Sequence, residues 1–182
     1  MAGWIGVVTD VGKAAIENAL SNAGTVNFNL VKTGTGIAPE SNMRAQTALV
    51  NEVDTGTVYD KIYTDDGAKI RMVIGPDSDA YTLKEVGLYA AVTVGGTTSS
   101  VLIGYFENSD GIQIPDEDVF PDFALILNAI IDITDEDTTI TINPSAFLAA
   151  YQGTENAGKY LIVDNNGFVV PTTVPLAEGE DF

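Results

Sequence analysis

Four stretches of this chain carry groups with which chemistry could be done. The first is Lys84-Glu85, a charged pair at the head of the apolar run Val86-Gly87-Leu88-Tyr89-Ala90. The second is Thr33-Gly34-Thr35-Gly36, placed after a strand-like segment, where a phosphate-cradling loop would stand. The third gathers Asp132, Asp135, Glu136 and Asp137, and the fourth is Asp116-Glu117-Asp118. Both offer carboxylate oxygens, the ligands that Ca²⁺ prefers. Each stretch has a plainer explanation. The glycine loop lacks a Gly-Lys-Ser/Thr ending and runs into Ile37-Ala38-Pro39, so backbone turning accounts for it. Neither acidic run has the Asp-x-Asp-x-Asp-Gly register of a calcium loop, so both read as solvated turns. Lys84 and Glu85 read as cross-strand partners or assembly contacts, worth about 0.2–1 kcal/mol as an exposed pair. No catalytic residue, metal site or cofactor site is expected.

What is missing narrows the chemistry further. The chain has no cysteine and no histidine. That removes disulfides, thiolate metal sites, the commonest general base and any Ser-His-Asp or Cys-His device. Paired carboxylates for glycoside cleavage stay open, since their separation in space decides them, but no two stand out. The net charge is −18, with seven of the eight Lys and Arg at or before Lys84. Such a surface repels phosphates, so nucleic-acid binding is not expected. The acidity reads as solubility in a subunit that must not aggregate before assembly. No apolar run reaches the about 18 residues of a membrane-spanning helix. The start, Met1-Ala2-Gly3-Trp4-Ile5-Gly6, does not look like a secretory signal. The expectation is a product that stays in the cell that makes it, or leaves inside a particle.

These groups need elements to position them. At 182 residues, the chain has room for one domain with a real core and a short appendage. Thr9 to Leu20 reads as a helix, capped by Thr9 or Asp10 and stopped by Asn22-Ala23-Gly24. Val26 to Leu30 alternates as a strand, and Pro39-Glu40-Ser41-Asn42 looks like the cap of a short helix through Leu49. Val58 to Thr64 and Ala68 to Ile74 read as a hairpin through Asp65-Asp66-Gly67. Tyr81 to Val94 turns at Gly95-Gly96 into Ser100 to Phe106. Glu107 to Pro121 reads as a polar loop, and Phe123 to Ile133 and Thr138 to Ile142 as strands. Asn143-Pro144-Ser145 reads as the cap of another short helix. Gln152 to Gly158 has linker composition, followed by short strands at Lys159 to Val163 and Phe168 to Val170. The expected fold is α+β, with a mostly antiparallel sheet, an N-terminal helix and a short C-terminal β-hairpin extension. The expected division is residues 1–151 as the domain and 152–182 as linker, hairpin and proline-containing tail.

The order of these segments resembles the phage tail-collar fibre family, the N-terminal domain of many tail-fibre proteins. Thr9-Asp10-Val11-Gly12-Lys13-Ala14-Ala15-Ile16 is similar to its opening "T-x-x-G-K-x-x-I". Phe28 to Gly36 matches its strand and glycine turn, and Ala48-Leu49-Val50-Asn51-Glu52-Val53 its "L-V-N-E-V" element. Lys84-Glu85-Val86-Gly87-Leu88-Tyr89 stands where the family has "R-E-I-G-L-F". Ile114-Pro115, Phe123 to Ile133 and Ile142-Asn143-Pro144-Ser145 fit its closing part. The resemblance covers Trp4 to Tyr151, and the long shaft of such fibres does not follow. It implies a virion structural subunit, assembled in the host cytoplasm and not an enzyme, that attaches or forms a short tail fibre at the baseplate. It also implies a homotrimer contacting a baseplate wedge protein or another tail-fibre protein. Tyr160, Ile162, Phe168 and Val170 would then meet around the trimer axis, and Trp4, Ile5 and Val7 would dock on the baseplate. The alternative is a carbohydrate-binding module of the tail, with Tyr59, Tyr63 or Tyr105 stacking on sugar rings.

Overall fold

The computed structural model describes residues 3–64, 67–132, 141–145, 160–163 and 169–172. The chain opens with β1 (Ile5–Val8), α1 (Asp10–Ser21) and β2 (Thr25–Gly34), followed by a single 3₁₀ turn at Glu40–Asn42. Then come β3 (Glu52–Thr64), β4 (Gly67–Ile74), β5 (Tyr81–Val94), β6 (Thr97–Ile114), β7 (Leu125–Asp132) and β8 (Thr141–Ser145). A separate hairpin pairs β9 (Tyr160–Val163) with β10 (Val169–Thr172).

Eight strands form one sheet in the order β1-β6-β5-β2-β3-β4-β7-β8, with every pairing antiparallel. The two ends of that order, β1 and β8, approach each other, so the sheet curls into a nearly closed barrel. The antiparallel sheet, the N-terminal helix and the terminal hairpin stand as expected. The α+β class holds only in part, because one α-helix faces ten strands among the described residues. The boundary near Tyr151, and the linker after it, lie outside the described residues.

The helix is docked by the motif that opens the chain. Thr9 accepts the Gly12 amide on its Oγ1 at 3.0 Å, capping α1. The same hydroxyl donates to the Leu102 carbonyl at 2.5 Å, and the Thr9 amide donates to the Ile103 carbonyl at 2.9 Å. One threonine therefore ends β1, starts α1 and fastens both to β6. Gly12 lets the helix come down onto that strand, since a Cβ there would lie 2.7 Å from the Ile103 Cα.

β5 is buried on both faces from Glu85 to Ala90, which explains its unbroken apolar run. Val86, Leu88 and Ala90 join the main core with Ile103, Phe106, Leu127 and Met72. On the other side Tyr89, Leu102 and Tyr105 form a second, smaller core with Ala38, Met43 and Leu49. The loop from Gly36 to Val50 thus lies over the outer face of β5 and β6. It is not the helix expected through Leu49. Met43 and Leu49 both enter this second core, and positions six apart point well away from each other on an α-helix.

One further expectation is corrected. Glu107 to Ile114 is strand, not loop, because β5 and β6 stay paired from Glu85↔Glu107 to Tyr81↔Ile114. Its polar composition reflects a large bulge between those registers. There Asn108 accepts the Asp110 amide at 3.0 Å, and Gly111 takes a φ of 72°. Asn143, Pro144 and Ser145 lie in β8 and pair with Asn128, Leu127 and Ile126 of β7, while the short helix expected after them falls outside the described residues. Pro144 is tolerated because β8 ends the strand order.

Candidate functional site

The densest polar constellation among the described residues is centred on Glu85, and it is buried. Glu85 is fully inaccessible. Its Oε1 accepts the Gly36 amide at 2.9 Å and the Asn51 amide at 2.7 Å. Its Oε2 accepts the Val50 amide at 2.8 Å and the Tyr105 hydroxyl at 3.0 Å. Both oxygens are occupied, by donors that belong to the two ends of one loop and to β6. The expectation that Lys84 and Glu85 are cross-strand partners or assembly contacts with the worth of an exposed pair fails at Glu85, which is buried, makes no ion pair among the described residues and is surrounded by dipoles instead.

The sequence supplies that cradle at three separated places. Thr33 to Gly36 brings the backbone in closely. A Cβ on Gly34 or on Gly36 would lie 2.6 Å from the Glu85 Oε1, so only glycine leaves room for the carboxylate. Val50 and Asn51 present successive amides, and Asn51 is tied back to Thr35 through its carbonyl at 3.0 Å and its side-chain amide at 2.6 Å. Gly87, two residues on from Glu85, faces Leu49, Tyr89 and Leu102 so closely that a Cβ would meet the Tyr89 ring at 2.9 Å. The glycine that reads as a mark of close approach therefore serves side chains of the second core.

Glu107 stands directly across from Glu85 in the strand register and is itself buried. Its Oε2 accepts the Ala38 amide at 3.1 Å, an amide that also leans on the Tyr105 oxygen at 3.3 Å. Burial pushes the Glu107 carboxyl above the usual glutamate range, and the Glu40 and Glu85 charges add to that, while the Ala38 amide acts against it. The Tyr105 hydroxyl is raised as well, by burial first and then by Glu85. Beneath them the Tyr81 hydroxyl shares a 2.8 Å hydrogen bond with Thr33, and burial lifts it to about 12. The sequence reading gave Tyr105, Glu107 and Thr33 no part in this cluster. The only signal for Glu107 was a carboxylate following a strand of large apolar residues, and it was absorbed into an expected loop.

This arrangement can hold a loop. A carboxylate whose lone pairs already take four donors has none free to accept a substrate proton, and no group of three or more metal-ligating side chains occurs among the described residues. Of the expected assembly residues, Trp4 belongs to the main core and Val7 packs half-buried against the second, while Ile5 is 44% exposed. Ile162 and Val170 sit directly across from each other in the β9–β10 hairpin, and Tyr160 opposes Thr172. Phe168 lies outside the described residues, as do Asp135, Glu136 and Asp137. Of the aromatics expected to stack on sugars, Tyr105 is wholly buried and cannot. Tyr63 stacks on Phe28 at 6.1 Å, and Tyr59 stands 70% exposed. Comparison with protein-family models, with curated proteins and with solved structures finds no match to this chain.

Proposed function

We propose that the chain is a structural subunit of a phage or phage-like tail. It attaches or forms a short tail fibre at the baseplate and links to host-recognition components, with no catalytic step of its own. One observation carries the reading. Three of the motifs on which the resemblance rests, at Thr33–Gly36, Leu49–Asn51 and Lys84–Tyr89, meet at the Glu85 carboxylate, although they lie far apart in sequence. Their residues serve the framework, as those of an assembly domain would. In this reading the subunit is a homotrimer in the virion. Its hairpin meets its sister copies through Ile162, Val170 and Tyr160, and Ile5 contributes to the baseplate contact. An epitope-tagged copy made in the producing cell should sediment with tail particles and be labelled at the baseplate end. Particles that assemble without it would refute the reading.

A second reading, a carbohydrate-recognition module of the same tail, is favoured by the exposed ring of Tyr59 on β3. A glycan array probed with intact protein and with Tyr59→Ala separates the two, since only a sugar site loses signal on substitution.

A further inference from the structure

The outer face of the β3-β4-β7 segment carries a groove of about 230 Å³ whose walls include Ile62, Lys69, Arg71 and Ile130. β4 alternates strictly here, with Ile70 and Met72 turned to the core and Lys69 and Arg71 outside. Ile62 and Ile130 are 55% and 46% exposed on the flanking strands, on either side of Lys69 in the register. An apolar cleft with two of the chain's eight cations is unusual on a surface of net charge −18. Asp60, on the neighbouring rung, offsets one of them, which leaves the groove net positive.

The same chain carries the complement. Residues 116–122 form a compact turn, with the Val119 and Phe120 amides donating to the Asp116 carbonyl at 3.2 and 3.0 Å. The Glu117 amide bonds to Asp77 at 2.8 Å. This turn holds Val119 and Phe120 out at 56% and 44% exposure, and Asp116, Glu117, Asp118 and Asp122 surround them. Because the turn is already held by its own backbone, little ordering is lost when it docks. It does not line the groove of its own chain. That groove opens beyond Leu125, where β7 begins, and Ile130 lies about 17 Å further along the strand.

We propose that the Val119-Phe120 knob of one copy docks in the Lys69-Arg71 groove of the next copy. This deepens the homo-oligomer part of the reading above and rests on it. Charge selects the arrangement. A two-fold contact of the groove with itself would bring Lys69 and Arg71 against their own copies, whereas knob into groove pairs opposite charges. Repeated head to tail, knob into groove is a heterologous contact, which makes a ring where its rotation closes, as the proposed homotrimer requires.

The test uses the full chain in four forms, weighed by sedimentation equilibrium across the micromolar range at low and high salt. They are the native protein, Lys69→Glu with Arg71→Glu, Glu117→Lys with Asp118→Lys, and all four changes together. All four positions are exposed or lie in the turn, and matching circular dichroism and melting curves establish that the forms are equally folded. The native protein should associate in a salt-sensitive manner. Each single-sided reversal should weaken association about a hundredfold or more, and the fourfold form should restore it. In a mixture of isotopically light and heavy protein, carbodiimide should link Lys69 of one copy to Glu117 or Asp118 of another. Association that ignores both reversals overturns the knob-and-groove contact and leaves the homo-oligomer standing. A native protein that stays monomeric overturns both. Links from Lys69 to a different protein in tail particles, with none to the turn, overturn the choice of occupant.

Discussion

Glu85 and Glu107 are neighbours across one strand pair, yet substitution should separate them sharply. Glutamine at position 85 would set an NH₂ group against backbone amides that donate to a carboxylate, leaving donors facing donors in a dry site. Glu85→Gln should therefore cost about 3 kcal/mol or more in urea-induced unfolding. Glu107 is buried and accepts the Ala38 amide, which glutamine can still accept. Glu107→Gln should be neutral or stabilising at pH 7. The pH dependence follows from the same asymmetry. The folded-state pKa of Glu107 is raised above its unfolded value, so between the two values the native state binds more protons. Its contribution to stability is greatest below the unfolded value and declines as pH rises through the folded one. The native protein should lose stability relative to Glu107→Gln as pH climbs from the ordinary glutamate range. A difference that stays flat with pH would show that Glu107 does not titrate in this way.

At the scale of elements, two glycines decide how pieces fit. Alanine in the middle of a helix ordinarily gains about 1 kcal/mol over glycine. At Gly12 the sign should reverse, because the new methyl would push α1 off the Ile103 backbone. Gly12→Ala should lower the melting midpoint, with a cost of about 2 kcal/mol. Gly36→Ala tests the loop clamp: its Cβ would crowd the Glu85 Oε1 and the Asn51 amide. Limited proteolysis should then cut between Ile37 and Leu49 at least about tenfold faster than in the native protein, while the barrel stays folded. Unchanged cleavage would mean that the clamp does not hold the loop.

At the scale of the molecule, the barrel hides its few buried polar groups and shows carboxylates almost everywhere else. The sequence pI near 4.1 then has a direct consequence. Solubility should be high at neutral pH and fall to a minimum near pH 4, where repulsion between copies vanishes. Turbidity against pH measures it. The Lys69-Arg71 groove is the exception to this sign, and the exception makes it an addressable contact for the acidic knob.

How much of this could be read from residues alone differs from place to place. The cap at Thr9, the stop at Asn22 and the long strand Tyr81–Val94 were legible because their causes are local: a side-chain oxygen one turn from an amide, and an apolar run between turn residues. The charged pair at Lys84-Glu85 looked like a surface pair because its neighbours in sequence are all that sequence shows. The donors that bury Glu85 come from Gly36 and from Val50-Asn51, residues 34 to 49 positions away. The stretch from Pro39 to Leu49 looked helical because Pro39-Glu40-Ser41-Asn42 are residue types that start helices, but they form a single 3₁₀ turn without a side-chain cap, and the second core pulls Met43 and Leu49 to one side. Sequence determined most of the strand positions, the absence of imidazole and thiol chemistry and the acidic charge, since these follow from residue type and short-range period. Tertiary structure alone decided which carboxylates are buried and which loop they hold. A charge is hidden or exposed according to what folds over it, and what folds over Glu85 is the distant loop between β2 and β3.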